Sequence, residues 1–294
     1  MKMRFLALLL TVITFISCDD PFKRQDFYLS NPTDATMQVT IDDKAYTVAP
    51  QSVELVKLKS GIHELTYKGQ KQVFNVFQQN SGGIINPALA PHYIYSMVYA
   101  TEGNFDKFGS IQRAIEIDGV PYEDNIKSTN ALFIDNNLYR CTYFLGEAYP
   151  EEQITYNKNT VGNFFNKFFT KAEFIAFYDE AVVAEERGFH EQSRVENGTC
   201  TITEPSMPVA LVIPDVPQEE VIASYKKEVE LVEEFRKSTD AARQKAIQKE
   251  LFDLSMSRSK LDINYSKLTT EQNQSMNDFV HASGRISGAG IIEL

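Results

Sequence analysis

The chain has 294 residues, of which 43% are hydrophobic and 23% charged, so its composition is that of a globular protein and excludes wholesale disorder and collagen-like repetition. At roughly 100–200 residues per domain, this length predicts about two domains. The 29 basic residues against 40 acidic ones give a formal charge of −11, which repels phosphate backbones and argues against sequence-independent binding to nucleic acid.

The chain begins with a short apolar segment that is typical of an exported protein. Lys2 and Arg4 supply a positive start, and residues 5–16 then carry no charge. A helix needs about 20 apolar residues to span a bilayer, so this segment is too short to span one and has the length of a signal-peptide core. We therefore expect residues 1–17 to be a signal peptide.

A cysteine follows this segment directly. Phe15-Ile16-Ser17-Cys18 resembles the lipobox of bacterial lipoproteins, in which a signal peptidase cuts before a cysteine that has received a diacylglyceryl group. The resemblance implies cleavage between Ser17 and Cys18, lipidation of Cys18 by diacylglycerol and a further acyl chain such as palmitate, and a tether over residues 18–24. Phe15 departs from the leucine most often seen there, and an ordinary secretory signal with a chance cysteine is the alternative.

Asp19 and Asp20 come next, and acidic residues at this place resemble two different sorting signals. They resemble the inner-membrane retention signal of enteric lipoproteins and the surface-export signal of Bacteroidota lipoproteins. We expect a lipid-anchored protein of the bacterial cell envelope. The outer membrane, at its periplasmic or surface face, is favoured over the inner membrane.

Residues 25–80 predict a small antiparallel β-sandwich. Short runs of alternating apolar and polar residues, such as 37–41, are separated by frequent turn signals. The turn at Asp42, Pro50 and the hairpin Ser60-Gly-Ile-His63 resemble PEGA-type and related immunoglobulin-like modules of bacterial envelope proteins. The resemblance implies no catalytic residues, so His63 is expected to be a hairpin residue.

Residues 81–204 predict an α+β region, a meander of strands with one packed helix. Asp118-Gly119 between two apolar runs is a strong signal for a two-residue hairpin, and Asp135-Asn-Asn137 predicts a second one. Thr170-Lys-Ala-Glu173 has the pattern of a capping box that opens a helix. Just before it, phenylalanines between 164 and 169 recur at helical spacing and predict a core plug.

Tyr93, Tyr95 and Tyr99 fall on one side of a predicted strand. Phenol rings offer an apolar face and a polar tip, so this row is a candidate platform for stacking a sugar ligand. Packing of the same rings into the core is the alternative.

The remaining cysteines, Cys141 and Cys200, are an even pair in a compartment that favours oxidation once Cys18 is lipidated. They predict a disulfide, with two buried free thiols as the alternative. The sequence contains no Cys-x-x-Cys and no paired Cys/His spacing, so we expect neither a metal nor a cofactor.

Several prolines mark residues 205–217 as a stiff linker around a possible edge strand at 209–213. Residues 218–294 then predict a helical hairpin or bundle, with two longer helices and a short third one capped by Thr269 to Gln272. Charges that alternate in sign over 226–234 are typical of a solvated helix face or of an arm that docks a partner. Glycines near the end predict a flexible tail.

Two functions fit an α+β chain of this kind. The first is a non-enzymatic envelope protein that binds a protein or glycan partner. The second is a hydrolase of polymers, because a glycosidase needs only two carboxylates about 5–10 Å apart. The acidic cluster Glu116, Asp118, Glu123 and Asp124 supplies the candidates for that pair.

Overall fold

A computed structural model describes residues 25–100, 113–149, 162–181, 192–196, 198–204, 206, 210–261, 263 and 265–294. The fold class is α+β, as the sequence predicts, with several β-sheets followed by a C-terminal helical region. The predicted signal peptide, Cys18 and the tether over 18–24 lie outside the described residues.

Six short strands form within residues 25–80, as the alternating pattern predicts. They are β1 (Phe27–Asn31), β2 (Met37–Ile41), β3 (Lys44–Val48), β4 (Ser52–Val56), β5 (Gly61–Tyr67) and β6 (Gln70–Val76). β6, β5, β2 and β3 pair antiparallel in that order, and β1 pairs antiparallel with β4. Their inward side chains form a shared core because alternate residues of a strand point to the same face. This core includes Phe27, Leu29, Met37, Val39, Ile41, Val56 and Phe74.

The middle region adds a further sheet, a hairpin and a packed helix. Its elements are β7 (Gly83–Ile85), β8 (His92–Ala100), β9 (Arg113–Ile117), β10 (Val120–Asp124), β11 (Ile126–Thr129), β12 (Phe133–Asp135), α1 (Asn136–Tyr139), β13 (Cys141–Tyr143), β14 (Gly162–Thr170) and α2 (Lys171–Ala181). The further sheet has the strand order β11-β8-β14-β13 and is called the third sheet, because the sandwich contains the other two. Asp118 and Gly119 form the predicted turn between β9 and β10, both with positive φ, as a type I′ turn requires.

Of two local predictions in this region, one is confirmed in part and one is wrong. Phe168 and Phe169 are buried core residues, as predicted, whereas Phe164 is 48% exposed. The helical spacing is misleading, because both buried rings lie in β14 and enter hydrophobic clusters on opposite faces of the third sheet. Asp135 opens α1 rather than a hairpin, because its carboxylate accepts the Asn137 N–H at 2.9 Å as an N-cap.

The predicted capping box before α2 forms only in part. The Thr170 hydroxyl accepts the Glu173 N–H at 3.3 Å. The Glu173 carboxylate, however, turns to the ammonium of Lys167 and to the Gly146 N–H, at 2.5 and 3.0 Å. An ionic partner competes successfully with the N-cap backbone for this carboxylate.

The C-terminal region contains α3 (Glu219–Lys237), α4 (Ala241–Arg258) and α5 (Thr270–Ser287), so its helices begin where the sequence predicts. Asp240 caps α4, and Thr269 with Gln272 forms the predicted capping box of α5. The third helix is nevertheless as long as the second. Its buried face of Phe279, Ser283 and Ile286 carries it through Gly284, because tertiary packing outweighs the weak helix propensity of one glycine.

The residues after α5 are not a flexible tail. They form β15 (Ile291–Glu293), which pairs antiparallel with β6, and Ile291 and Ile292 are buried. Gly290 permits close packing here, because a Cβ at this position would lie 2.8 Å from Asn80 Cα. The glycine pattern therefore indicates a close backbone approach, and mobility was the wrong reading of it.

Strands from outside residues 25–80 complete both sheets of the sandwich. β7 pairs parallel with β1 and antiparallel with β12, which gives a first sheet β12-β7-β1-β4. The second sheet is β15-β6-β5-β2-β3. The sandwich is thus mixed rather than wholly antiparallel, and it draws on residues from all three predicted regions.

Asp135 joins these regions at one point. Its carboxylate accepts the N–H groups of Asn137 and Gly290, at 2.9 and 2.7 Å, and the Gly290 carbonyl accepts the Phe77 N–H at 2.9 Å. Burial raises the pKa of Asp135 to about 7, although the N–H donors oppose this shift.

The structure describes part of the predicted linker, at 206 and 210–217. Residues 210–213 are not a strand. Leu211 and Ile213 instead pack on hydrophobic clusters formed mainly by the helical region, and one of the clusters that Leu211 joins also contains Ile292 of β15.

Candidate functional site

The acidic cluster on the β9–β10 hairpin does not converge. Asp118, in the turn, is buried and pairs with the Lys171 ammonium at 2.9 Å, whereas Asp124, at the open end, accepts the Tyr95 hydroxyl at 2.8 Å. Glu116 and Glu123 lie on the exposed face, diagonally across the hairpin. Such a diagonal corresponds to roughly 7–8 Å between Cα atoms. The structure brings Glu116 and Glu123 to one face and separates the two aspartates from them.

The predicted tyrosine platform is wrong for two of its three members. Tyr93 and Tyr95 are buried under α2, where the Tyr93 ring stacks on Phe174 with 5.1 Å between centroids. Tyr99 is half-buried and packs edge-on against Phe165. Because α2 covers this face of the third sheet, the rings belong to the core, which was the alternative reading.

The predicted disulfide does not form, and both Cys141 and Cys200 are free thiols. They belong to hydrophobic clusters on opposite faces of the third sheet, so the sheet separates them. Burial raises the pKa of the Cys141 thiol well above its usual value.

Ser30 and His92 form a pair that sequence reasoning missed, because they lie on β1 and β8, far apart in the chain. The Ser30 hydroxyl and His92 Nε2 are 2.9 Å apart, and His92 Nδ1 lies 3.0 Å from the Ala90 carbonyl. This is the geometry of a nucleophile and its base. Both side chains are fully buried, and burial lowers the pKa of His92 to about 4, so the pair is a contact between sheets.

Lys167 on β14 is a second buried group that sequence reasoning missed. Its ammonium donates to the Phe144 and Phe168 carbonyls, at 2.9 and 3.1 Å, and to the Glu173 carboxylate. Burial lowers the pKa of Lys167, while Glu173 opposes the shift. With all three of its donors engaged, this lysine stabilises the packing of α2 on the third sheet.

An open cleft beside Arg258 is the best candidate for a binding site. It has a volume of about 220 Å³ and lies between the end of α4, the short 3₁₀ turn at Tyr265–Lys267 and α5. At about 30 Å³ per water molecule, it has room for roughly seven waters or for a ligand of about ten non-hydrogen atoms. Its lining includes Tyr225, Ser255, Arg258, Tyr265, Asn273 and Asn277.

All three helices of the C-terminal region, α3, α4 and α5, contribute to holding Arg258 in this cleft. Its side chain, 8% exposed, pairs through Nη1 with the Glu228 carboxylate of α3 at 2.7 Å, and the Ser283 hydroxyl of α5 donates to the same carboxylate. The guanidinium also lies over the Tyr225 ring, 4.2 Å from its centroid. Glu228 is therefore buried, although the alternating charges around it predicted a solvated face.

Part of the guanidinium is left without a partner. Nη1 donates to the Ser224 hydroxyl at 3.3 Å, whereas its contact with Glu228 is an ion pair without hydrogen-bond geometry. Within the described part of the chain, no acceptor engages Nε or Nη2. Neither atom is among the buried side-chain atoms without a hydrogen-bond partner, so both donors reach solvent at the cleft. These two donors are thus available to a molecule in the cleft.

A larger and more apolar groove runs along another face of α5. It has a volume of about 630 Å³ between this helix and residues 210–213. Its lining combines Ala210, Val212, Phe279 and Ala282 with the acidic Glu271 and Asp278.

Across the residues that the structure describes, no three His, Cys, Asp or Glu side chains are grouped so that they could hold a metal ion. In the same residues, every helix is too short or too polar to cross a bilayer.

No family model matches the chain, and neither a curated protein nor a solved structure is significantly similar to it.

Proposed function

We propose that the chain is a non-enzymatic, lipid-anchored binding protein of the bacterial envelope, which takes its ligand in the cleft around Arg258. The observation that carries the binding role is the Arg258 guanidinium, which lines this cleft and whose Nε and Nη2 donors have no acceptor among the described residues. A ligand oxygen in the cleft would satisfy donors that the fold leaves open.

The anchoring role rests on the resemblance of Phe15–Cys18 to a lipobox. Several acyl chains on Cys18, each buried methylene contributing about 0.8 kcal/mol, would hold the protein stably at a membrane. The first strand begins at Phe27. The chain between Cys18 and Phe27 would span at most about 30 Å when extended, so the folded body would stay close to the bilayer.

Lipidation is tested by mass spectrometry of the N-terminal peptide and by fractionation of cell membranes. We expect a chain that begins at a diacylated Cys18 and sediments with the outer membrane, and a Cys18→Ser variant that is unlipidated and leaves the membrane fraction. Cys200→Ser is the matched control and should fractionate like the parent. An intact leader, or a mature chain with an unmodified thiol at position 18, would contradict the proposal.

Binding at the cleft is tested in intact cells with a photo-crosslinking phenylalanine at position 265 or at position 252. Tyr265 lines the cleft, whereas Phe252 is an exposed aromatic residue of α4 outside it. We expect an adduct from position 265 and none from position 252. Equal labelling at both positions, or none at either, would count against a binding role for the cleft.

A hydrolase that acts on envelope or environmental polymers is the second candidate, and the shared face of Glu116 and Glu123 favours it. Inverting glycosidases hold their two carboxylates roughly 6.5–9.5 Å apart, a separation that glutamate side chains can reach from Cα atoms roughly 7–8 Å apart. If this candidate holds, purified protein cleaves a polymeric glycan, and Glu116→Gln and Glu123→Gln each abolish cleavage. Activity that survives both substitutions would exclude this pair.

A further inference from the structure

The Arg258 cleft also carries information about the chemical class of its ligand. We propose, on the basis of the proposed binding function, that it binds one neutral, hydroxyl-rich sugar unit of a glycan. The cleft combines an internally neutralised arginine, amide and hydroxyl groups, and one exposed aromatic ring.

Charge balance argues for a neutral ligand. The Glu228 carboxylate already pairs with Arg258 at 2.7 Å, and both side chains are 8% exposed. An anion entering the cleft would meet a compensated ion pair, and it would lose its own hydration without gaining a net positive partner. The formal charge of −11 on the whole chain repels anions further.

The hydrogen-bonding groups suit hydroxyls, each of which both donates and accepts. Arg258 contributes only donors, at Nε and Nη2. Asn273 Nδ2 donates to the carbonyls of Tyr265 and Thr269, at 3.3 and 3.1 Å, which leaves Asn273 Oδ1 as an acceptor in the cleft wall. The Ser255 hydroxyl and the Asn277 amide add groups of both kinds.

Tyr265 supplies the surface on which a sugar ring would stack. Its side chain is 56% exposed at the rim, in contrast to Tyr225, which is buried beneath the guanidinium. An aromatic face packs well against the C–H groups of a pyranose, while its hydroxyl stays in water. The volume of about 220 Å³ is that of a single ring, so the rest of a glycan would extend into solvent.

The test is a glycan array probed with the lipidated full-length protein in detergent micelles. The array carries neutral oligosaccharides of glucose and of N-acetylglucosamine, the corresponding uronic-acid oligosaccharides, and sulfated forms. We expect binding to neutral members, and for the best of these a dissociation constant measured by titration calorimetry. Binding confined to acidic or sulfated members, or to none, would overturn the inference.

Two variants locate the binding and separate it from folding. Arg258→Lys keeps the charge that Glu228 needs but loses the planar fork, and we expect about tenfold weaker binding. Tyr265→Ala removes an exposed ring and should weaken binding by about tenfold with an unchanged melting temperature. Phe252→Ala, an exposed ring outside the cleft, should bind like the parent; full binding by both cleft variants would overturn the inference.

The two proposals fail separately. A protein that is lipidated at Cys18 and crosslinks through position 265, but binds no neutral glycan, refutes the sugar assignment and leaves the anchored binding role intact. A protein that is not lipidated and yet binds a neutral sugar through Tyr265 refutes the anchor alone.

Discussion

Two buried titratable side chains, His92 and Asp135, have pKa values far from those of the same residues in water. Each is almost wholly removed from water, and burial disfavours the charged form of both. The pKa of His92 is thereby lowered to about 4 and that of Asp135 raised to about 7. The two groups give opposite pH dependences to the stability of the fold.

The signs follow from proton binding. Unfolded His92 takes up a proton below about pH 6.5 and folded His92 only near pH 4, so its contribution is complete above 6.5 and lost as the pH falls. Folded Asp135 keeps its proton up to about pH 7, whereas the unfolded residue loses it near 3.8, so stability falls as the pH rises through this interval. Between pH 4 and 6.5 the two slopes cancel.

Substitution of either residue should leave only the pH dependence of the free energy of unfolding that the other residue contributes. For His92→Gln, we expect the free energy of unfolding to fall by about 3 kcal/mol, relative to the parent, between pH 4 and 6.5. For Asp135→Asn, we expect a rise of similar size over the same interval. Urea unfolding of the unlipidated Cys18→Ser chain at several pH values measures both, and parallel profiles for the two variants would contradict this assignment.

At the scale of elements, β7 shows why position 83 requires a glycine. Gly83 has φ +153°, and a Cβ there would lie 2.2 Å from the Ile134 carbonyl oxygen on the neighbouring β12. The close approach lets β7 pair with β1 on one side and β12 on the other. A side chain at this position would separate strands from different parts of the chain.

Gly83→Ala and Gly61→Ala form a matched pair for this argument. Gly61 also has a positive φ, +134°, but has open space around its Cβ direction. We expect Gly61→Ala to cost about 1 kcal/mol through backbone strain, and Gly83→Ala about 3 kcal/mol or more because the clash is added. Thermal unfolding of both variants measures the difference, and equal losses would show that the clash relaxes freely.

Elements with local signals were predictable from the sequence. Alternation located β1 to β6, Asp118-Gly119 located a hairpin, and the caps at Asp240 and Thr269 located helices. Signals that depend on distant residues were not. Phe168 and Phe169 have helical spacing but lie in β14, because strand pairing with β8 decides their conformation.

The candidate site was beyond the sequence for the same reason. Glu228, Arg258 and Ser283 come from three helices, and only packing brings them together. The alternating charges near Glu228 gave a local signal for a solvated face, and it was misleading. Burial of Tyr93 and Tyr95 likewise depends on where α2 packs, which no local pattern reveals.

At the scale of the whole molecule, β15 joins the helical region to the N-terminal sandwich. It pairs with β6 in the second sheet, and Ile291 enters the same core as Phe27 and Phe74. The Asn75 side chain adds a second link by donating to the Arg236 and Ser238 carbonyls, each at 2.9 Å. These links favour joint unfolding of the sheet and the helices.

Ile291→Ala should destabilise sheet and helices together, by about 2–5 kcal/mol, because it removes buried methyl groups from a shared core. Leu294→Ala is the control, since Leu294 is 38% exposed, and its effect should stay within about 0.5 kcal/mol. Urea unfolding followed by helical circular dichroism and by tyrosine fluorescence gives the two midpoints. A shift in only one of them would show that the regions unfold independently.

The pairing of β15 with β6 also determines when, during synthesis of the chain, the second sheet can be completed. The ribosome makes Val76 long before its partner Ile291. While the residues between them are being made, the edge of β6 that will pair with β15 has no partner strand. Exposed strand borders recruit other chains, which makes this interval the one in which self-association is most favoured.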